Sequence, residues 1–387
     1  MTSSVNSFFY LASFFMLQMP NLSAMFPFIE RSNINAISIF FGFFLILFSF
    51  KINPRNLAFF LVSVIILLLP FVYSILDGNF FISISSFMRY GLYLLIFHHL
   101  LTANRSLVKD ISKIYLGFFV LSVFFGIITS NYMIVNGIDR FAGASHNPAS
   151  FAVQSFTAFV LLFSYRFLNF SFDEPKRYKF FVGLALVALL FLVYMSGSRQ
   201  PLLGIFLIGG LYLFRLNIKF FVLLTIFISL IFLFFIDVTD LKFIRMQLLL
   251  SSLLDGSLFS DVGTIKDGSL RARVDFIVFT YEKIFLESNF FGMGLNSFTS
   301  QWSSDRKIAA HFDIIQLLFD FGIPVTIAYI TLIIVSVWKL LKMRLSWPYI
   351  VLFYFVGLSF NNPLYYHASF SLIIIMLTYF YRSRTTI

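Results

Sequence analysis

Uncharged apolar runs of about 17 to 25 residues recur from one end of the chain to the other, each long enough to cross ~30 Å of hydrocarbon as a helix. Only 12% of the 387 residues are charged, against roughly a quarter in soluble domains, and 59% are apolar. A soluble domain carrying a single anchor is thereby excluded. The runs lie at about 7–29, 34–50, 57–76, 81–101, 114–133, 148–169, 180–197, 201–216, 220–236, 312–338, 346–361 and 364–381, which makes twelve spans. The first, Ser7 to Phe28, has no basic residue ahead of it and no small-x-small cleavage site behind it, and reads as a retained helix.

An even number of spans puts both termini on one side, and alternation then sorts the loops into two sets. The set with the termini carries 16 Lys and Arg, among them Lys51, Arg105, Lys176 and Arg382; the short loops of the other set hold only Arg31, Arg140 and Arg199. The positive-inside rule makes the first set cytoplasmic. The same bias explains most of the net charge of +11, so nucleic acid is not an expected partner. There is no cysteine, which removes disulfides and thiolate metal sites from consideration. The 58 phenylalanines are spread through every apolar segment and carry no functional reading.

The expected fold is an all-α membrane protein, a single integral-membrane domain over residues 1–387 with about twelve transmembrane helices and both termini cytoplasmic. One long periplasmic loop, residues 237–311, joins the ninth and tenth helices. Within it, Leu241–Leu254 and Leu270–Glu287 suit amphipathic helices at the membrane interface, separated by a Gly-, Ser- and Asp-rich flexible stretch.

With this orientation the conspicuous polar residues fall on the periplasmic side. Ser196-Gly-Ser-Arg199-Gln-Pro201 joins two spans, with Ser198 placed to cap the helix that Pro201 helps to start. An arginine beside free helix N–H groups is suited to a phosphate, although a tight turn with an arginine at the headgroups would look the same. Arg140-Phe-Ala-Gly leads into His146-Asn147-Pro148, a second arginine ahead of a capped helix start. A third element runs from Arg271 and Arg273 through the amphipathic stretch to Gly292-Met-Gly294 and on to Ala310-His311, where a histidine at a helix start is placed for proton transfer. Arg89 lies inside the fourth span and either snorkels to the periplasmic surface or faces the bundle interior. No Asp-x-Asp, His-Glu-x-x-His, P-loop or dinucleotide motif occurs, so no cofactor and no metal is expected.

These three elements, in this order, resemble the O-antigen polymerase and O-antigen ligase superfamily over about residues 135–330. Arg140 to Pro148 looks like its arginine-glycine-asparagine-proline element and Ser196 to Arg199 like its serine-glycine-serine-arginine element. Arg273 to Gly322, with Gly292-x-Gly294, Ala310-His311 and Gln316, looks like its loop signature. Phe312 departs from the asparagine that often follows the histidine.

The resemblance implies an inner-membrane glycosyltransferase acting on an oligosaccharide linked to undecaprenyl pyrophosphate, alongside a flippase and a chain-length regulator. Arg140, Arg199 and Arg273 would hold the pyrophosphate and His311 would serve the acceptor hydroxyl, with Arg271 as the alternative to Arg273. Polymerase is preferred to ligase, because polymerases of the superfamily are more varied and more numerous. A non-catalytic transporter or flippase of lipid-linked sugars would instead show charges in several spans and paired broken helices.

Since the chain has no cysteine of its own, single introduced cysteines report orientation without background. Ser260→Cys is expected to react with a membrane-impermeant maleimide in spheroplasts, and Lys176→Cys only after permeabilisation; the reverse pattern would overturn the orientation.

Overall fold

The structure is a computed structural model that describes residues 2–49, 105–135, 138–145, 147–167, 179–216, 268–295, 297, 313–341 and 347–353, with scattered positions in 57–95 and 372–377. Helix α1 (Thr2–Gln18) continues into a 3₁₀ segment, Met19–Met25, and α2 (Arg31–Ser49) packs back along α1. Helix α3 (Arg105–Ile128) leads to an antiparallel hairpin of β1 (Tyr132–Val135) and β2 (Ile138–Phe141). Then come α4 (Pro148–Phe167), α5 (Lys179–Met195) and α6 (Arg199–Leu216). The last described elements are α7 (Gly268–Tyr281) with a π-helical turn at Glu282–Leu286, α8 (Asp313–Leu341) and α9 (Trp347–Phe353).

Helix α4 is the centre of the bundle, buried at every position from Phe151 to Leu161. Two of its hydroxyls bond to their own helix: Ser155 Oγ donates to Phe151 O at 2.9 Å and Thr157 Oγ1 to Val153 O at 2.8 Å. Such back-bonding lets hydroxyls lie in an apolar interior without an orphaned donor. Around it, α3, α5 and α6 turn apolar side chains outward, for example Phe124, Phe191 and Leu203. Small polar groups inside and large apolar groups outside suit a bundle surrounded by lipid. Two described helices, Leu107–Ile128 and Pro148–Tyr165, are long and apolar enough to cross a membrane. The expected spans at 57–76, 81–101, 220–236 and 364–381, and the amphipathic stretch Leu241–Leu254, lie wholly or largely outside the described residues.

Three expected elements are changed by the structure. The first span is α-helical only to Gln18, because Pro20 has no N–H for the α-helical ladder and Leu22 leaves helical geometry. The span expected at 114–133 begins earlier and ends at Ile128; the apolar residues after it, Tyr132–Val135, form a strand instead. The span expected at 312–338 is interrupted, since Gly322 has φ +77° and ψ −174° and Pro324 follows two residues later.

The interruption in α8 is filled by the long loop. Ile323 N–H donates to Phe290 O at 2.9 Å, while Met293 and Gly294 N–H donate to Phe319 O and Asp320 O at 2.8 and 3.1 Å. Only a residue tolerant of positive φ can stand at 322, and a Cβ there would collide with Phe290 O. The α7 end of the loop is thus fixed to α8 by main-chain bonds.

Phe156 of α4 is fully buried and its ring fills the notch left by Gly204 of α6. Phe156→Ala is expected to destabilise the bundle by about 3 kcal/mol through the cavity it opens, read as a lowered thermal midpoint in detergent. An unchanged midpoint would place the centre of packing elsewhere.

Candidate anion-binding site

The hairpin delivers Arg140, which pairs with Met133 across the two strands. The turn that follows is held from several sides. Asn131 Nδ2 donates to Gly143 O at 2.7 Å and Ser145 O at 3.2 Å, and Ala142 N–H donates to Asn131 O at 3.0 Å. Ala144 N–H donates to Ser122 Oγ of α3 at 2.9 Å, and Ala144 O accepts from Ala24 N–H of the 3₁₀ segment, also at 2.9 Å. Phe141 packs edge-on against Phe151 of α4, with ring centroids 5.1 Å apart. Asn147 Oδ1 accepts from Ala149 N–H at 2.9 Å, so Asn147 caps α4 as expected.

The second turn closes α5. Ser196 Oγ donates to Val193 O at 2.6 Å, and Ser196 Oγ accepts from Ser198 N–H at 3.4 Å. Gly197 has φ +66°, and its N–H donates to Tyr194 O at 2.9 Å. Ser198 stands immediately ahead of α6, which opens at Arg199 with Pro201 in its first turn. The side chain of Arg199 lies outside the described residues.

The two turns meet. The Arg140 side chain lies across Gly197, with Cδ and Nε each 3.1 Å from where a Cβ on that residue would stand. A glycine is required here twice over, by its backbone conformation and by the arginine above it. The guanidinium stem is thereby held beside the N-terminus of α6, where free N–H groups and the helix dipole favour an anion.

The third element is separate in the chain. Arg271 and Arg273 lie on the N-terminal half of α7, and their side chains fall outside the described residues, as do Arg89 and His311 altogether. Gly292 and Gly294 are the close-approach residues of the loop: a Cβ on Gly292 would stand 2.6 Å from Gly322 N. Helix α8 opens at Asp313, two residues beyond His311. The sequence motifs include Ser196 without giving it a role of its own, and they do not point to Asn131 or Asp320. Asp320 had a visible signal, an acid inside an apolar span just ahead of Gly322-Ile-Pro324.

An arginine and a helix start held together within an apolar helical bundle make a place suited to an anion. Residues 184–330, less than half of the chain, match the family described as O-antigen ligase, the same superfamily that the sequence motifs resemble. The match supports a membrane setting and a glycosyltransferase-like activity on lipid-linked oligosaccharide. No curated protein and no solved structure matches the chain. The matched stretch contains the Ser196–Arg199 turn, α7 and His311, but not Asn147, nor Arg140, which the fold brings to it from the preceding segment.

Gly197→Ala forces a side chain against Arg140 and a strained backbone at once. The Michaelis constant for a lipid-linked donor is expected to rise on the order of tenfold, the equivalent of about 1.4 kcal/mol of lost anion contact. An unaltered donor KM in initial-rate measurements would detach Arg140 from the site.

Proposed function

We propose that the protein is a surface-polysaccharide (O-antigen) polymerase of the bacterial inner membrane, with its reaction centre facing the periplasm. It transfers the growing glycan from undecaprenyl pyrophosphate to the non-reducing-end sugar of the next lipid-linked repeat unit. The observation that carries this reading is the contact of Arg140 with the Ser196–Arg199 turn, which adds a cation to an element of the matched family region.

In the transfer, an acceptor hydroxyl oxygen forms a bond to the anomeric carbon as the bond from that carbon to the pyrophosphate oxygen breaks. The bonding pair leaves with undecaprenyl pyrophosphate, and the hydroxyl proton passes to His311. Negative charge grows on the pyrophosphate as it departs. Guanidiniums at Arg140, Arg199 and Arg273, with Arg271 or Arg89 as further contacts, stabilise that charge without a metal ion. Asn147, Ser198, Gly292 and Gly294 support the segments that carry them.

Transfer of the finished chain to lipid A-core is the second reading, favoured by the description of the matched family as a ligase. The donor chemistry is the same in both, and the acceptor separates them.

Purified protein incubated with lipid-linked repeat units alone is expected to give a ladder of products on a gel. Product only after addition of lipid A-core would make it the ligase, and no product with either acceptor would end the transferase reading. Arg199→Ala and His311→Ala are each expected to lower transfer by a factor of about 100 or more in folded protein. Near-normal turnover in either would remove that residue from the site.

A further inference from the structure

Asp320 has no part in the transfer as described, yet it is the buried acid of α8, only 1% exposed, seven residues into an apolar helix. A carboxyl in such surroundings persists where the fold uses it, because its burial is costly. Its Oδ1 lies 3.4 Å from Ser297 Oγ, which itself donates to Gly294 O at 2.7 Å. Its own carbonyl accepts the Gly294 N–H. Side chain and main chain of one residue therefore both meet the same short loop segment.

The helix break explains why that is possible. Pro324 has no N–H to offer Asp320 O, and the Ile323 N–H goes to Phe290 O instead of Phe319 O. Two helix carbonyls are left to accept Met293 and Gly294, and Leu295 packs with Phe321 next to the break.

We propose that Asp320 is a positioning residue for glycosyl transfer: it locks Phe290–Ser297 onto the break in α8, fixing α7, which carries Arg271 and Arg273, relative to the helix that begins beside His311. The inference rests on the transferase reading. Its physical basis is that reacting groups carried by two elements contribute only when the elements are held to within a fraction of an ångström, and a shift of about 1 Å costs on the order of a hundredfold in rate.

The test uses the full chain in lipid nanodiscs with lipid-linked repeat units, comparing Asp320→Asn, Asp320→Glu and Ser297→Ala with the unaltered protein. In Asp320→Asn, kcat per folded molecule is expected to fall at least about tenfold while donor KM stays within about twofold, the pattern of lost transition-state geometry. Asp320→Glu is expected to recover part of that loss. A residue needed only for folding would instead lower yield and thermal midpoint and leave kcat per folded molecule intact.

Amide hydrogen exchange over residues 290–297 is expected to speed by about tenfold or more in Asp320→Asn and Ser297→Ala, with α4 unaffected. Exchange unchanged in both variants, or kcat of Asp320→Asn within twofold of the unaltered protein, would overturn the proposal. Faster exchange in a protein that shows no transfer at all would leave the lock standing and remove the transferase reading.

Discussion

In a bundle surrounded by hydrocarbon, each irregular stretch of backbone must find its hydrogen-bond partners within the protein. Two of the non-helical segments described here obey that constraint by pairing with another irregular stretch. The 3₁₀ segment at Met19–Met25 gives its Ala24 N–H to the turn after β2, and that turn is also bonded by Asn131 and Ser122. The loop at Phe290–Gly294 meets the break in α8 in the same way. These irregular segments therefore collect in two places, the first of them beside Arg140.

At the first place the electrostatics favour an anion. A guanidinium stem lies over a left-handed glycine, beside the start of α6, and neither group needs to reorganise to meet a phosphate. At the second place, a rigid main-chain weld ties an arginine-bearing helix to the element that begins next to His311. In the proposed transfer the first place would offer Arg140 and Arg199 to the leaving pyrophosphate, and the second would offer it Arg273 or Arg271 and bring His311 to the acceptor hydroxyl.

The helix starts at Pro148 and Arg199 were legible in the sequence because Asn-Pro and Ser-Arg-Gln-Pro punctuate them. The hairpin was not, although Asn136-Gly137 between two short β-branched or aromatic stretches is a strong hairpin signal. Tyr132–Val135 continues the apolar run of α3, and hydropathy alone merges the two. The break in α8 was overlooked for a similar reason: Gly322 and Pro324 are tolerated in apolar helices, so neither ended the span. Alternation of loops puts Arg140 and Arg199 on one side of the membrane, but the approach of Arg140 to Gly197 depends on tertiary packing of β2 against the end of α5. Asp320 is hard to read from the sequence because its partners, Ser297 and Gly294, are more than twenty residues away in the chain.

Whether the hairpin arginine and the turn arginine grip one anion is the central claim, and a double-mutant cycle addresses it directly. Binding of undecaprenyl pyrophosphate to purified protein would be measured for Arg140→Gln, Arg199→Gln and the pair together. One shared anion predicts coupling between the two losses of about 0.5–3 kcal/mol; losses that add to within about 0.5 kcal/mol would mean two separate sites and contradict it.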